Sequence, residues 1–418
     1  MPELSSLFSS VADPRKRKEY RMEELLMGGT GMFLFKQGSR NSLNNKRFEE
    51  TFLSNYEHCL GMRLPHQDTV ADVLTAIDPI HLEMVKMRLM SRLFEQKWLR
   101  PYRLLGQYYP VAVDATGVVS FDKPHCEHCL TKKSKSGKVT YFHYVLEAKL
   151  VTAAGHCFSL AGEWVENPSG DFNKQDCELK AFTRLAGKLK KHYPRLPLCI
   201  LADGLYPNQT VFDICRSNEW KYILVLQDTM LKSVQQEVDL IRLRKPATES
   251  YRVKNGVRIS SKYRFQTAIP YKKHLLHWMQ CVETKTKDVK PGVENTAEPT
   301  ASTFEYVSNI EPDRDNIIRL TAGGRLRWKI ENEGFNTQKC GDYELEHKYC
   351  RNSYRGMKNY YTLLQIAHLI NQLVEKSKFV TALQKEHSKQ TIREIWRCLT
   401  AYMLLVSPTG TPPIQPSG

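Results

Sequence analysis

Two aspartates follow apolar, strand-like runs of the sequence, and both could bind a metal ion. Asp114 follows the run YYPVAV, and Asp203 follows the run LCILA and precedes Gly204. Taken singly, an aspartate in such a place is more often a turn residue or a helix cap. Two carboxylates held close together repel each other unless a cation lies between them, and Mg²⁺ and Mn²⁺ prefer hard oxygen ligands. The pair therefore predicts a divalent metal site, provided that the two strands are neighbours.

A third carboxylate would complete a site for two ions about 3.5–4 Å apart, which activates an attacking oxygen and stabilises a leaving oxygen at phosphorus. The helical segment RLRWKIENEGFNTQK offers Glu331 and Glu333. At about 100° per residue they point to nearly opposite sides of a helix, so only one can serve. Arg327 lies one turn before Glu331, where it could orient the carboxylate or hold a phosphate. The alternative for this pair is an exposed helix salt bridge.

The elements that must position these residues can be predicted from hydrophobic periodicity. The predicted order β-β-β-α-β-α-β has five strands and two helices: Tyr108–Phe121, Val139–Thr152, His156–Glu166, the helix Asp176–His192, Leu198–Ala202, the helix Gln209–Arg216, and Tyr222–Gln227. This α/β order is that of the ribonuclease H-like fold. The first and fourth strands are neighbours in that fold, so Asp114 and Asp203 would lie side by side.

The motifs VAVDATG, ADG and RWKIENEGFN together resemble the insertion-sequence transposases of the DDE type. The resemblance covers about residues 60–375, and it is greatest to the branch with a β-rich insertion between the second Asp and the Glu. It implies that Asp114, Asp203 and Glu331 are the catalytic, metal-binding triad for two Mg²⁺ or Mn²⁺ ions. It also implies that Arg327 is the signature arginine.

The resemblance implies a DNA transposase. Such an enzyme would hydrolyse a phosphodiester bond at each transposon end and transfer the strands to target DNA, with a hairpin route for release. Its partners would be double-stranded DNA and a second copy of the chain, because two ends must be held together. The alternatives are an inactive transposase-derived protein that only binds DNA, and a structure-specific nuclease on the same fold.

Two positions depart from the pattern of this branch. Its members often have a Tyr three residues before the Arg, where this chain has Gly324. They also have a Lys seven residues after the Glu, where this chain has Gln338, with Lys339 one place later. Lys339 is the candidate phosphate ligand. Trp278, in the insertion, is a candidate for stacking on a flipped base, although a core Trp of a small β-rich region is the more frequent case.

The motif CEHC, with Cys126 and Cys129, has the spacing of a zinc site. Such a site needs about four ligands, and the nearby candidates are His125, His128 and His143. The alternative is a hairpin with two small thiols packed inside it.

The composition predicts a folded, basic chain. The 418 residues are 41% hydrophobic, which excludes a disordered chain, and 61 Lys and Arg against 45 Asp and Glu give a net charge of +16. The segments PRKRKEYR, KKSKSGK and KLKKHYPR are candidate phosphate contacts. The helix that starts at Asp78-Pro79 carries Lys86, and its charged face could meet solvent or DNA. We expect a cytoplasmic protein, because the sequence has no secretory signal, no membrane span and eleven mostly scattered cysteines.

The sequence thus predicts five regions. They are a helical, candidate DNA-binding region (1–105), the first part of the ribonuclease H-like core (106–228), a β-rich insertion (229–312), core-completing helices with the catalytic Glu (313–378), and a C-terminal helix with a disordered tail (379–418).

Overall fold

The computed structural model describes residues 2–167, 177–254, 256–287, 299–386 and 390–407. The predicted insertion loop at 288–298 and the predicted disordered tail at 408–418 lie outside the described residues. Within the described residues, no helix is long and apolar enough to cross a membrane.

The N-terminal region is helical, as predicted. Its helices are α1 (Pro2–Ser9), α2 (Met22–Leu34), α3 (Arg40–Lys46), α4 (Glu50–Leu60), α5 (Gln67–Ala76) and α6 (Pro79–Glu95). Helix α6 begins where the sequence predicted, because the Asp78 side chain accepts a hydrogen bond from the Ile80 N–H and Pro79 occupies the first turn.

Within the described ranges, ten strands form one mixed sheet. They are β1 (Tyr109–Phe121), β2 (Leu130–Lys133), β3 (Val139–Val151), β4 (Cys157–Val165), β5 (Leu198–Ala202), β6 (Lys221–Val225), β7 (Thr248–Lys254), β8 (Val257–Tyr271), β9 (His274–Lys287) and β10 (Thr300–Ser308). The helices α7 (Glu178–His192), α8 (Gln209–Ser217) and α9 (Lys232–Arg242) lie between strands in the chain.

The strands that position the two aspartates follow the predicted order, with the short β2 added in the polar stretch after β1. β4, β3 and β1 pair antiparallel, and β1, β5 and β6 pair parallel through the connections that contain α7 and α8. β1 and β5 are therefore hydrogen-bonded neighbours. The fold is a mixed α/β structure, as the sequence predicted at that coarse level.

The segment between β6 and β10 extends the same sheet. β10 pairs antiparallel with β6, and β9, β8 and β7 follow outward. The prediction for this segment was β-rich but included no helix, and α9 lies within it. Its buried Val234 and Val238 belong to the same hydrophobic core as β5.

The remaining helices complete the structure. They are α10 (Ile317–Arg325), a π-helical segment (Ile330–Asn336), α11 (Thr337–Cys340), α12 (Tyr354–Glu375), α13 (Lys378–Glu386) and α14 (Ile392–Leu405). Helix α12 is buried along most of its length, and its Leu363, Leu364 and Ile366 share a hydrophobic core with α2 and α5. The N-terminal helices therefore pack on the helix that follows the candidate catalytic Glu.

Candidate active site

Asp114 lies in the middle of β1 rather than at its end. The predicted strand Tyr108–Phe121 contains Asp114, and β1 does continue to Phe121 because its antiparallel pairing with β3 continues to Phe121. The parallel pairing of β1 with β5 does stop before the aspartate, at Ala112 opposite Leu201. Two residues further along each strand, this register leads to Asp114 on β1 and to Asp203 just after β5.

Asp203 has the turn geometry that a lone aspartate often has. One of its carboxylate oxygens accepts a hydrogen bond of 2.9 Å from the Leu205 N–H. Its carbonyl accepts a bond of 3.2 Å from the Tyr206 N–H, which closes the turn before α8. This turn directs the chain away from the end of β5 and leaves the second carboxylate oxygen for other contacts.

Glu331 lies in the π-helical segment, and Glu333 lies in different surroundings, as their spacing predicted. Glu331 bonds Arg327, whereas Glu333 forms an ion pair with Lys329. The segment packs against the sheet through the buried Ile330 and Phe335. Both residues belong to the hydrophobic core that includes Ala112 of β1. The π-helical turn was not predicted, because hydrophobic periodicity at this length does not separate it from an α-helix.

Arg327 connects two members of the predicted triad. One guanidinium nitrogen, Nη1, donates to Glu331 Oε1 at 2.8 Å and to Asp114 Oδ2 at 3.3 Å. The Arg327 side chain is only 7% exposed, so this is not the exposed helix salt bridge that the sequence left open. Its guanidinium also lies over the Trp328 ring, 4.4 Å from the ring centre.

The surroundings of Asp114 disfavour its charge. Burial raises the pKa of the Asp114 carboxyl to about 7. The Ala115 N–H and Arg327 act in the opposite direction, while the negative charges of Glu331 and Asp203 raise the pKa further. The three carboxylates are thus close enough to interact electrostatically, and a cation among them would favour the ionised form of Asp114.

The donor set fits a hard divalent cation, although the oxygen atoms of the three carboxylates do not all lie within 4.8 Å of one another. All three side chains offer oxygen atoms, which Mg²⁺ and Mn²⁺ prefer. Among the described residues, only a His/Cys group brings at least three His, Cys, Asp or Glu ligand atoms within 4.8 Å of one another. The guanidinium of Arg327 provides positive charge between Asp114 and Glu331 instead.

Sequence reasoning missed a fourth carboxylate near the site. Glu178, the first residue of α7, accepts a hydrogen bond of 3.2 Å from the Tyr206 hydroxyl. Burial raises the pKa of Glu178, and the charge of Asp203 adds to this effect. The signal available in the sequence was weak, since an acidic residue in the first turn of a helix ordinarily interacts with the helix dipole.

An open cleft of about 850 Å³ lies beside these residues. Tyr144 and Glu178 line it together with β1, β2 and the segment before α12. Two lysines, Lys132 and Lys348, also line it. The lining thus carries two acidic residues, Glu178 and Glu346, and two lysines, Lys132 and Lys348.

Lys339 and Gln338 point to different partners. Gln338 is fully buried and bonds Gln365 and His368 on α12, so the place where the transposases that the motifs resemble have a lysine belongs to the protein interior here. Lys339 is 29% exposed and pairs with Glu346, one of the residues that line the cleft. A phosphate contact by Lys339 would require this ion pair to open.

The structure gives a physical reason for Gly324. A Cβ at this position would lie 2.6 Å from the Tyr306 ring, which is closer than real Cβ contacts. The Tyr306 ring comes from β10 of the insertion and is buried. A tyrosine side chain at position 324 therefore does not fit, and an aromatic ring from the insertion occupies this space instead.

Trp278 is a core residue in this structure, and its burial argues against the base-stacking role considered for it. Its side chain has no exposed surface and its Nε1 donates to Glu305 at 3.2 Å. A buried indole has no free face on which a base could stack. The sequence favoured this core interpretation but could not show the burial.

Several predicted phosphate contacts are occupied by internal partners. Lys86 is buried, pairs with Glu83 at 2.9 Å and donates to Ser159, so it does not belong to a charged outer face of α6. Lys188 donates to the Gly162 carbonyl and pairs with Glu163. These lysines stabilise the fold and are poor candidates for DNA contacts.

Cys126 and Cys129 lie in the connection between β1 and β2. They form the His/Cys group mentioned above together with His125 and His143. This group is separate from the carboxylates, since none of its members shares a contact with Asp114 or Glu331 among those the structure describes.

Comparisons with known proteins returned no match, either among protein-family models or among curated proteins. The function must therefore be argued from the residues and their arrangement.

Proposed function

We propose that this chain is a DNA transposase with a ribonuclease H-like catalytic core. The strand order β4-β3-β1-β5-β6, with three antiparallel strands followed by two parallel ones, is the arrangement expected of that fold. The segment from α9 to β10 corresponds to the β-rich insertion of the transposases that the motifs resemble.

One observation supports the proposal more than the others. Asp114 and Glu331 come from distant parts of the chain yet bond one nitrogen of Arg327, and Asp203 directly follows the strand that pairs with β1. Keeping like charges together in a partly buried place is unfavourable unless a cation compensates. Polynucleotide cleavage and strand transfer need this type of site.

The three carboxylates would hold two Mg²⁺ or Mn²⁺ ions. Such ions activate an attacking oxygen and stabilise a leaving oxygen at phosphorus. The chain itself contributes the ligands, with Asp114 and Asp203 on neighbouring strands and Glu331 on the π-helical segment. Arg327 orients both Asp114 and Glu331 through one nitrogen. Nε of Arg327 is buried and has no hydrogen-bond partner among the described residues.

DNA would reach the site through its phosphates. The exposed lysines and arginines that account for the net charge of +16 give affinity rather than sequence recognition. Two copies of the chain would be needed to hold two transposon ends during strand transfer.

The test is a cleavage and strand-transfer assay on DNA that carries the flanks of the gene as candidate ends. Asp114→Asn, Asp203→Asn and Glu331→Gln should each lose Mg²⁺-dependent activity by orders of magnitude, because one charged ligand is missing. Each should still bind the DNA, since binding depends on Lys and Arg.

Glu333→Gln is the matched control. It removes the same charge from the same π-helical turn, but its partner is Lys329 rather than Arg327, so most activity should remain. An active Asp203→Asn protein would contradict the proposal.

A second function is favoured by a specific observation. Arg327 already neutralises Asp114 and Glu331, as it would in a protein that binds DNA without cutting it. That protein would bind the flanking DNA and never cut it, with Mg²⁺ or with Mn²⁺. The wild-type chain in the same assay decides between the two.

A further inference from the structure

A second cluster of ligand atoms lies in the turn between β1 and β2, apart from the carboxylates. Cys126, Cys129, His125 and His143 each offer one ligand atom, and these four atoms lie within 4.8 Å of one another. Three residues come from the turn, and His143 comes from β3. The sequence indicated a zinc site from the two cysteines but left its other ligands open among three histidines.

The three distances among the ligand atoms of Cys126, Cys129 and His143 match those of a tetrahedral zinc centre. With Zn–S bonds of about 2.3 Å and Zn–N bonds of about 2.05 Å, two sulfurs lie about 3.8 Å apart and a sulfur and a nitrogen about 3.6 Å apart. In the structure, the two Sγ atoms are 3.8 Å apart. His143 Nε2 lies 3.4 Å from Cys126 Sγ and 3.6 Å from Cys129 Sγ.

The two histidine rings are held in place by aromatic neighbours. His125 stacks on Phe121 with ring centres 4.0 Å apart, and His143 stacks on Tyr354 of α12 with ring centres 4.4 Å apart. The Tyr354 hydroxyl in turn donates to Glu166 at 2.6 Å. Such support around the ligands orients them before a metal binds.

We propose that these four residues bind one structural zinc ion. Two thiolates and two neutral imidazoles neutralise Zn²⁺, so the complex suits a partly buried place that would disfavour a net charge. Four protein ligands leave no open position, which is the arrangement of structural rather than catalytic zinc. A cleft of about 550 Å³ that includes Cys126 and His128 in its lining gives the ion a way in.

The zinc would join the β1–β2 connection to β3 and, through the His143–Tyr354 stack, to the start of α12. It would therefore fix the strand that carries Asp114 relative to the helix that follows Glu331. This inference does not depend on the proposed reaction, since zinc binding is measured without DNA.

The first test is zinc content of the full chain after reconstitution with equimolar zinc and gel filtration, measured by mass spectrometry of the elements. The wild type should retain about one zinc per chain. Cys126→Ser, Cys129→Ser and His143→Asn should each lower zinc affinity by more than about 100-fold. Glu331→Gln should keep its zinc, which separates this outcome from any failure of the proposed transposase.

Two controls sharpen the assignment. His128→Asn changes a histidine of the same motif that lies outside the group of four, and it should keep the zinc, whereas His125→Asn should lose it. Cys59→Ser changes an exposed cysteine of α4 and should have no effect. Equal loss in His125→Asn and His128→Asn would overturn the assignment of His125.

A second measurement tests the zinc site on the wild type, so it can be made even if a cysteine variant does not fold. Co²⁺ added to the metal-free wild type should give the intense visible bands of a tetrahedral ion and a thiolate charge-transfer band, and Zn²⁺ should abolish both. A spectrum of octahedral Co²⁺, a chain that retains no zinc, or a Cys126–Cys129 disulfide in the protein as purified would each overturn the proposal.

Discussion

At the scale of single residues, burial decides which predicted roles hold. Arg327 is buried and Asp114 is partly buried, and each has the other as a hydrogen-bond partner, which makes them candidates for a functional site. Trp278 and Lys86 are also buried, but their partners are internal. Residue type and spacing therefore predicted the three carboxylates. The burial of Trp278 and Lys86 could be seen only in the folded structure.

The raised pKa of Asp114 predicts a pH-dependent stability in metal-free protein. The folded chain holds a proton on Asp114 up to about pH 7, whereas the unfolded chain releases it near its ordinary value of 3.8. The folded state therefore binds more protons between these values, and the free energy of unfolding should fall as pH rises from about 4 to 7. Asp114→Asn should remove this contribution, of at most a few kcal/mol.

The measurement is urea unfolding of the wild type and Asp114→Asn in EDTA at pH 5 and pH 8. The stability of Asp114→Asn relative to the wild type should be greater at pH 8 than at pH 5. The same difference at both pH values would show that Asp114 ionises normally.

Gly324 predicts a steric effect that depends on the insertion. In Gly324→Ala, the new Cβ would overlap the buried Tyr306 ring, so the free energy of unfolding should fall by about 1–3 kcal/mol. Gly187→Ala is the control, because this exposed position in α7 has no atom within 4 Å of the new Cβ. It should be neutral or stabilising by up to about 1 kcal/mol. Equal thermal shifts in the two variants would contradict this role of Tyr306.

At the scale of elements, the sequence predicted the strands around the aspartates to within one or two residues. Leu198–Ala202 was predicted with its observed bounds, since a short apolar run before Asp-Gly has few alternatives. Helix α9 was missed although Val234 and Val238 have the i, i+4 spacing of a helix face, because these two valines stand in an otherwise mostly polar stretch. The π-helical segment was missed because its extra residue per turn changes the direction of side chains without changing the composition.

The π-helical segment is fitted closely to β4, and this predicts a coupling between two residues. A Cβ on Gly334 would lie 3.0 Å from the Cys157 Sγ. Gly334→Ala should therefore displace the segment that carries Glu331. The cleavage rate should be affected more strongly than the free energy of unfolding. Cys157→Ala removes the sulfur, so the double variant should recover much of the activity lost in Gly334→Ala.

The check is a double-mutant cycle on cleavage rate and on unfolding free energy. Additive effects of the two substitutions would mean that the 3.0 Å approach does not control the position of Glu331.

At the scale of the whole molecule, the excess of positive charge predicts a steep dependence of DNA binding on salt. Lys and Arg that neutralise phosphates release counterions, so affinity should fall linearly with salt on a logarithmic plot. Lys339→Gln should reduce the slope by about one if Lys339 contacts a phosphate, because it pairs with Glu346 in the lining of the cleft. Lys86→Gln should leave the slope unchanged, because Lys86 is buried.

The binding constant should be measured for wild type and both variants at several salt concentrations, on one duplex from the flanks of the gene. A flat salt response of the wild type would remove the case for phosphate contacts.

The pairing of β10 with β6 has a consequence for how the segment between these two strands can change in evolution. The chain leaves β6 after Val225 and returns on the adjacent β10, with Tyr306 opposite Val225. A genetic event that changes the length of the segment between these strands therefore keeps the two ends side by side. Tyr306 also ties the segment to α10, since its ring fills the space above Gly324. Among descendants of a common ancestor, these two positions should change together.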